Sequence, residues 1–389
     1  MRSIRLSPLP ALAVLGLAAC GPSSDRAVAD TTEPLTDGAL TLTPITGDLT
    51  FPWAMAFLPN GDMLVTERDG RLRIVRDGTL DPDPIANTPQ DVYVDRQGGY
   101  LDVILARNFA DSRTLFMSYS QGTDDSNRTA VIRARLNDDA TALENVEEIF
   151  ASHVPEKRGG AHFGSRLFEM PDGTLMVTLG DGFRWMDQAQ VLDNHFGKVV
   201  RINTDGSVPE DNPFVGQAEA RPEIYSYGHR NVQGLAYDEA RGVFYTHEHG
   251  PKGGDELNIM EPGTNYGWPE ITYGVNYDGT IITGETEEPG MARPAMKWVP
   301  SIAPSGMELY TGDVYPDWSG DLFIGAMNGP AGQKLVRVDR DADGNIVGRE
   351  DLFADAGIPF RDVVQGPDGK LYLATADMDG MIYRLDRTD

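Results

Sequence analysis

Tight turns followed by strands of alternating or continuous hydrophobicity recur along this chain. Six such units begin at Pro59, Asn108, Pro171, Asp238, Pro316 and Pro367. In PNGDMLVTE and PDGKLYLATAD, for example, a turn containing Pro, Asp and Gly precedes residues that favour a strand. Successive units start roughly 50 to 80 residues apart, which suits four-stranded propeller blades that carry insertions.

These units predict an all-β fold, a six-bladed β-propeller. The segment LTLTPI near residue 41 is expected to complete the last blade and close the ring, which would protect the sheet edges. A β-sandwich or barrel with similar turns is the alternative, although six units over roughly 350 residues exceed a usual sandwich. Insertions after the third, fourth and fifth units mark the expected active face.

The N-terminal residues carry the pattern of an export signal. Arg2 and Arg5 precede an apolar run, and the small residues LAAC end at Cys20. Residues 1–19 are therefore predicted to be a lipoprotein signal peptide and Cys20 the lipidated first residue of the mature chain. Because Gly21 follows it, we expect a periplasmic protein anchored at the outer membrane. A plain signal peptide that contains a cysteine is the alternative.

The next residues and the overall charge limit the partners. Residues 20–40 are small and polar and lack aromatic side chains, so they are predicted to form a flexible tether to a domain at 41–389. The net charge of -27 disfavours nucleic acid and an anionic membrane surface. We therefore expect no nucleic-acid partner and membrane contact only through the lipid. Because Cys20 is the only cysteine, the domain is expected to have no disulfide.

The segment YSYGHRNVQGLAYDEARGVFYTHEHGPKGGDELN, residues 225 to 258, combines groups that a core strand does not need. It contains a guanidinium group, two amides, a His-Gly-Pro corner and an acidic pair. Guanidinium groups bind carboxylates as a planar fork, and carbonyl and carboxylate oxygens are the ligands that Ca²⁺ prefers. The segment is therefore a candidate site for an anion and a metal ion.

Several motifs extend this hypothesis across the chain. They are FPWAMAFLPNGDMLVTERDGRLRIV, QGGYLDV, GAHFGSRL, DNPF, YGHRNVQGLA, HEHGPKGGDELN, NYGWP and SIAPSG. In this order, over residues 45 to 387, the chain resembles the soluble aldose sugar dehydrogenases that depend on pyrroloquinoline quinone (PQQ), the glucose/sorbosone dehydrogenase-like family. The resemblance implies PQQ- and Ca²⁺-dependent oxidation of aldose sugars to lactones, with electrons passed to a quinone or a small carrier.

The resemblance also implies roles for polar residues in two of these motifs. His162 is expected to be the general base that takes the sugar hydroxyl proton as hydride leaves the anomeric carbon. Arg230 is expected to stabilise the quinone oxygen that becomes negative, and Asn231 and Gln233 to orient cofactor or substrate. The alternatives are a structural histidine, and an arginine stacked between blades with amides that satisfy turns.

Four further residues are expected to bind Ca²⁺. By resemblance, the backbone carbonyls of Gly250 and Pro251 hold a Ca²⁺ that also binds the cofactor. Glu256 and Tyr266 match positions that hold a structural Ca²⁺, through a carboxylate and a carbonyl. The alternatives are a simple turn, a surface glutamate and a packing tyrosine.

The chain departs from the family at two cationic positions. PQQ has three carboxylates, and the family provides a lysine where GAMNGPAGQKL has Asn328, and a pair of arginines where PFRDV has Pro359 and Arg361. Arg361 is expected to bind a cofactor carboxylate. Lys334, which is expected to begin the next strand, and Lys252, beside the Gly-Pro corner, are candidate replacement charges.

These departures keep other functions open. A non-catalytic, calcium-stabilised propeller that binds a carbohydrate or a protein partner and has lost PQQ is the main alternative. A calcium-dependent lactonase is a third, but its set of carboxylate and Asn ligands has no clear equivalent here.

The stretch DRDADGNIVGRE has the residue spacing of an EF-hand calcium loop. The matching positions are Asp339, Asp341, Asp343, Gly344 and Glu350. Its flanks are strand-like, which predicts a β-hairpin with an acidic turn instead of an EF-hand. Both a calcium-binding turn and a solvated hairpin remain open.

Overall fold

The computed structural model describes residues 33–327 and 332–388, and it is built almost entirely of strands. Two N-terminal strands are β1 (Leu35–Asp37) and β2 (Leu40–Leu49). The strands of blades one to three are β3 (Pro52–Phe57), β4 (Met63–Glu67), β5 (Arg71–Arg76), β6 (Thr79–Leu80), β7 (Tyr100–Leu105), β8 (Thr114–Gly122), β9 (Asn127–Leu136), β10 (Leu143–Ala151), β11 (Leu167–Glu169), β12 (Thr174–Thr178), β13 (Lys198–Asn203) and β14 (Ile224–Tyr227).

The strands of blades four to six are β15 (Val232–Asp238), β16 (Val243–Glu248), β17 (Asp255–Met260), β18 (Met296–Trp298), β19 (Pro304–Leu309), β20 (Leu322–Ala326), β21 (Lys334–Arg340), β22 (Ile346–Leu352), β23 (Phe360–Gln365), β24 (Leu371–Thr375) and β25 (Gly380–Arg387). Helical structure in the described residues is limited to the short helix α1 (Phe109–Ser112) and the 3₁₀ turns Met186–Gln190 and Pro316–Trp318.

Six antiparallel sheets form a closed ring, which confirms the predicted six-bladed β-propeller. The first strands of successive blades, β3, β7, β11, β15, β19 and β23, contact one another in order, and β23 returns to β3. These six strands therefore surround the central channel. Each of the six turns found in the sequence joins the first and second strands of one blade.

The ring is closed by strands from both ends of the chain. β2 pairs antiparallel with β25 in the sheet β1-β2-β25-β24-β23. The prediction that LTLTPI completes the last blade is confirmed, and the pairing removes exposed sheet edges that would otherwise attract other strands.

Apolar faces of neighbouring blades pack against each other to form the core. Between blades one and two, for example, Leu64, Leu72, Leu115 and Tyr100 are almost fully buried. Fully burying a Leu contributes about 1.5–3 kcal/mol relative to leaving it exposed. Similar clusters between the other blades hold the innermost strands at fixed positions around the channel.

Ordered structure begins earlier than the predicted domain boundary. Residues 20–40 were expected to be a tether, but β1 (Leu35–Asp37) pairs antiparallel with β2 in register Leu35 to Leu42. The blade gains an outer strand because residues 38 and 39 form a turn that brings β1 back along β2. The predicted signal peptide and Cys20 lie outside the described residues. No helix in the described part of the chain is long and apolar enough to cross a membrane.

The EF-hand-like stretch forms the turn of the β21–β22 hairpin. The Asp341 carboxylate accepts hydrogen bonds from the backbone N–H groups of Asp343 and Asn345 at 3.0 and 2.9 Å, and Glu350 pairs with Arg337 at 3.2 Å. The predicted hairpin is confirmed. Within the described residues, no three His, Cys, Asp or Glu side chains are grouped to hold a metal ion.

Candidate active site

A central pocket opens where the innermost strands begin. Its lining includes Trp53 on β3, Gln233 on β15, Arg361 on β23, and Arg68 and Gln97 from loops. It contains about 550 Å³ of space unoccupied by protein, part of it open to solvent. Residues that are far apart in the sequence therefore converge on one cavity, as the propeller fold predicts for its active face.

His162 lies beside this pocket and is held in one orientation. Its backbone N–H donates to Gln97 Oε1 at 2.7 Å, and its Nδ1 lies 2.6 Å from Asp181 Oδ1. Asp181 Oδ2 accepts a hydrogen bond from Trp268 Nε1 at 2.8 Å. A carboxylate partner at Nδ1 favours the tautomer with the proton on that nitrogen, which leaves Nε2 as the nitrogen that can accept a proton.

The protonation states agree with that geometry. Burial and the charge of Arg230 lower the pKa of His162, so the ring is neutral near pH 7. Burial alone would raise the pKa of Asp181, but the His162 ring and its hydrogen bond, followed by Arg230, hold it below its ordinary value. The pair is therefore a neutral imidazole next to a carboxylate, which is the state a general base needs before it acts.

Arg230 reaches across the same site from the loop before β15. Its backbone N–H donates to Glu248 Oε2 at 2.5 Å, and its Nη1 donates to the carbonyls of Gly250 and His249 at 2.7 and 3.1 Å. The guanidinium carbon lies 5.3 Å from the centre of the Trp268 ring. These contacts fix a buried cation near His162.

Asn231 and Gln233 hold the backbone that follows His162. Asn231 Oδ1 accepts from the Gly164 N–H at 3.1 Å, and Gln233 Nε2 donates to the Gly164 carbonyl at 2.9 Å. Asn231 Nδ2 is buried and has no hydrogen-bond partner in the structure. Both amides thus position the loop that carries His162, and the Asn231 Nδ2 donor remains without an acceptor among the described residues.

Arg361 is a buried cation without a carboxylate partner. Its guanidinium lies 4.0 Å from the Trp53 ring centre, its Nη2 donates to Gln233 Oε1 at 2.9 Å, and its Nε has no partner. No carboxylate of residues 33–327 or 332–388 lies within ion-pair distance of it. Burial and the nearby charges of Arg166 and Arg68 lower its pKa well below the ordinary value. Such an arrangement favours an anionic ligand.

Three of the four predicted metal-binding residues meet in a separate small pocket near the Gly-Pro corner. Gly250, Glu256 and Tyr266 line it together with Glu248, whereas Pro251 is not part of its lining. Glu256 lies directly opposite Glu248 across the β16–β17 pair. Burial and the neighbouring Glu248 raise the pKa of Glu256 to about 8. Two carboxylates on directly paired residues repel each other unless a cation or a proton lies between them. Carboxylate and carbonyl oxygens are also the ligands that Ca²⁺ prefers.

The candidate replacement charges do not line the central pocket. Lys334 begins β21, as predicted, and its Nζ pairs with Asp351 Oδ2 at 2.5 Å. Lys252 is exposed and its backbone bridges to Val275. The Pro359 carbonyl accepts a hydrogen bond from the Ala376 N–H at 2.8 Å, which extends the pairing of β23 with β24 by one residue. Asn328 lies outside the described residues.

Several residues of the site were missed by sequence reasoning. Gln97 and Trp268 lie within QGGYLDV and NYGWP, motifs that were noted without assigning them a role, and Asp181 follows β12 in the run LGDG. Phe183 and Tyr277 gave no sequence signal. Their rings stack at 6.2 Å, Phe183 lies edge-on to His162 at 5.1 Å, and both rings are largely exposed. They form an aromatic cover over the base.

Comparison with known proteins identifies similar sequences and structures. Aldose sugar dehydrogenase YliI of Escherichia coli (strain K12) is 41% identical over 342 residues, which cover 87% of this chain and 90% of that protein. The crystal structure of the soluble aldose sugar dehydrogenase (Asd) from Escherichia coli in the apo-form superposes with a TM-score of 0.84 at 38% identity, covering 90% of this chain and 99% of that one.

Two more distant proteins have names that mention a quinone cofactor. Quinoprotein glucose dehydrogenase B of Acinetobacter calcoaceticus is 28% identical over 72% of this chain and 62% of its own length. The PQQ-bound form of aldose sugar dehydrogenase from Streptomyces coelicolor shares the fold, with a TM-score of 0.74 at 24% identity over 91% of this chain and 99% of that one. The family model described as Glucose / Sorbosone dehydrogenase matches residues 49–384, and this chain belongs to that family.

Proposed function

We propose that this protein oxidises aldose sugars at the anomeric carbon to lactones, using PQQ as the electron acceptor and Ca²⁺ to hold it. The observation that carries the proposal is the buried His162–Asp181 pair beside Arg230, at the edge of a pocket whose Arg361 lacks a counter-ion. Membership of a family of sugar dehydrogenases gives the reaction class. The arrangement places a base and a fixed cation beside a cavity that contains a site for an anion.

The unused polar groups fit the cofactor. PQQ has three carboxylates, and the central pocket offers Arg361, whose Nε has no partner among the described residues. Behind Gly164, which lines the pocket, Asn231 has an unpaired Nδ2. Trp53 and Phe163, which also line the pocket, provide flat apolar surface. The donors at Gly250 and Glu256 suit Ca²⁺. Arg361 would hold a carboxylate. The Gly250 carbonyl, which also accepts a hydrogen bond from Arg230, would bind the metal ion together with the Pro251 carbonyl from outside the small pocket.

Different residues of the chain have different roles in the proposed reaction. When bound, PQQ supplies a quinone that takes up the hydride equivalent from the sugar. His162 Nε2 accepts the proton of the anomeric hydroxyl, and Asp181 stabilises the imidazolium that results. The Arg230 guanidinium stabilises negative charge that develops near it, an effect strengthened by burial. Trp268 fixes the Asp181 carboxylate.

Export and anchoring belong to the proposal as well. The lipoprotein pattern ending at Cys20 supports a periplasm-facing enzyme tethered to the outer membrane, with a quinone or a small carrier as its final acceptor.

A titration of the purified protein with PQQ in excess Ca²⁺, followed by addition of glucose, tests the proposed function. We expect the absorbance of PQQ to change on binding and to reach saturation as PQQ is added. Addition of sugar should then convert the spectrum to that of the reduced cofactor. Omitting Ca²⁺ with a chelator should weaken binding. Absence of binding at micromolar PQQ would reject the dehydrogenase in favour of the non-catalytic binding propeller, which the uncharged Pro359 would then explain.

A further inference from the structure

We infer that Arg68 is a cofactor-binding residue that contacts a carboxylate of PQQ, together with Arg361, and so supplies positive charge that Pro359 does not. The inference rests on the proposed function, because it concerns the same pocket and the same ligand. Arg68 and Arg361 both line the central pocket although they lie in different blades.

The carboxylates nearest to Arg68 in sequence are occupied by other arginines. Glu67 Oε2 pairs with Arg71 Nε at 2.8 Å and with Arg73 Nη1 at 3.3 Å. Asp69 Oδ2 pairs with Arg71 Nη2 at 2.8 Å. Among residues 33–327 and 332–388, no carboxylate lies within ion-pair distance of the Arg68 guanidinium. Its charge is therefore available to a ligand.

The fold holds Arg68 in place through contacts that a free surface arginine does not need. Its backbone N–H donates to the Phe51 carbonyl at 3.1 Å, and its guanidinium carbon lies 4.2 Å from the Phe51 ring centre. Gly99 passes so close that a Cβ there would lie 1.7 Å from the Arg68 carbonyl oxygen and 2.7 Å from its Cγ. At φ +145°, Gly99 also has a backbone conformation that favours glycine. Packing thus directs the stem of Arg68 toward the pocket.

Two cations without counter-ions at one cavity are unfavourable in the empty protein. Burial and the charges of Arg166 and Arg68 act together on Arg361 and lower its pKa, and burial lowers the pKa of Arg68. A ligand with several carboxylates removes this cost, because each guanidinium can form charge-assisted hydrogen bonds with it. A neutral sugar offers no such compensation, which assigns the two arginines to the cofactor instead of the substrate.

The test is the affinity of the full-length Arg68→Gln protein for PQQ in excess Ca²⁺, measured by calorimetry. We expect binding to weaken by about 10- to 100-fold, the range for one lost hydrogen bond between charged groups. Arg71→Gln is the matched control. It removes the same charge three residues along the chain, but the Arg71 side chain is already paired with Glu67 and Asp69. The control should bind PQQ as the unmodified protein does.

Two further measurements separate ligand contact from a structural role. The trimethyl ester of PQQ lacks carboxylate charge, so Arg68→Gln should weaken binding of PQQ far more than binding of the ester. In the absence of PQQ, the thermal unfolding midpoint of Arg68→Gln should equal or exceed that of the unmodified protein, because an uncompensated cation has been removed. A lowered midpoint with equal losses for both ligands would overturn the inference in favour of a structural Arg68.

The outcomes also separate this inference from the proposed function. If the unmodified protein binds PQQ and Arg68→Gln binds it equally well, the inference is wrong and the proposed function stands. If the unmodified protein does not bind PQQ at all, both are wrong.

Discussion

Two arginines lie against Trp53, and only one of them forms ion pairs with carboxylates of the described residues. The guanidinium carbons of Arg361 and Arg166 are 4.0 and 4.3 Å from the ring centre. Arg166 pairs with Asp362 at 3.0 Å and with Asp102 at 3.4 Å. Arg361 has no carboxylate partner within the described residues. The difference indicates that Arg166 serves the fold and that Arg361 serves a ligand.

The two arginines belong to different cavities along the same innermost strands. Arg361 lines the central pocket, where β3 contributes Trp53. Arg166 lines a second cavity further along these strands, where β3 contributes Met55 and β19 contributes Glu308. Loss of the Arg361 charge should therefore reduce function and leave stability intact, whereas changes around Arg166 should reduce stability.

The largest effect expected at the central pocket is that of His162→Ala on turnover. Without the base, turnover with saturating PQQ and sugar should fall by about 10²- to 10⁴-fold, the usual contribution of a general base. The affinity for PQQ should stay close to that of the unmodified protein, whereas the unfolding midpoint should fall, because the buried Asp181 carboxylate loses its ring partner. Steady-state kinetics and thermal melting check this, with the exposed His153→Ala as the control. Turnover within twofold of normal would remove His162 from the mechanism.

Around Arg166, the largest expected effect is on stability. Asp362→Asn leaves the Arg166 cation buried with only the longer contact to Asp102, and it weakens the acceptor for the Met55 N–H. Removing one partner of a buried ion pair costs about 3–5 kcal/mol. The free energy of unfolding in urea should fall accordingly. Asp317→Asn, which removes an exposed pair with Arg387, should cost about 1 kcal/mol or less. Equal losses for the two variants would contradict the assignment of Arg166 to the fold.

Arg361→Gln should give the opposite result to Asp362→Asn. In PQQ-free protein the substitution removes a buried cation that has no counter-ion, so the free energy of unfolding should be unchanged or higher. The affinity for PQQ should fall by about 10- to 100-fold, since one hydrogen bond between charged groups is lost. Urea unfolding and PQQ titration on the same preparations provide both values. A marked loss of stability in the PQQ-free protein would mean that Arg361 is structural, like Arg166.

The contrast between paired and unpaired arginines also shows what the sequence could predict. The six blades follow from local patterns, because each unit carries its own turn and its own alternation of hydrophobic residues. Arg68 is different. Glu67 and Asp69 flank it in the sequence, but the antiparallel β4–β5 pair brings Arg71 and Arg73 to those carboxylates instead. Which charges remain unpaired depends on strand register, and no local pattern reveals it.

The site was predictable only in part for a similar reason. His162 and Arg230 lie in motifs distinctive enough to be assigned roles. Asp181 lies 19 residues from His162 along the chain, and Trp268 lies 87 residues beyond Asp181. Asp181 contacts His162 and Trp268 contacts Asp181, so only the folded chain brings the three together. Phe183 and Tyr277 lie in loops whose sequence has no periodicity. Their stacking over the base depends on tertiary contacts alone.

The smallest effect expected is a dependence of stability on pH that comes from Glu308. Burial and the charge of Asp362 raise the pKa of its carboxyl from 4.5 to about 8. A carboxyl with a higher pKa in the folded protein binds more protons there than in the unfolded chain between those two values. The free energy of unfolding should therefore fall as pH rises from about 4.5 to about 8, and more steeply with Glu308 than without it.

Glu308→Gln should flatten that decline and make the variant relatively more stable toward pH 8. Asp102 and Asp362 line the same cavity and burial raises the pKa of both carboxyls, so the informative quantity is the difference between variant and unmodified protein at each pH. Urea unfolding across this range measures it, with the exposed Glu239→Gln as the control for loss of a carboxylate. Parallel curves for the Glu308 variant and the unmodified protein would show that the second cavity adds no proton-linked destabilisation. Its charges would then be fully balanced by Arg166, and the contrast with the central pocket would be sharper still.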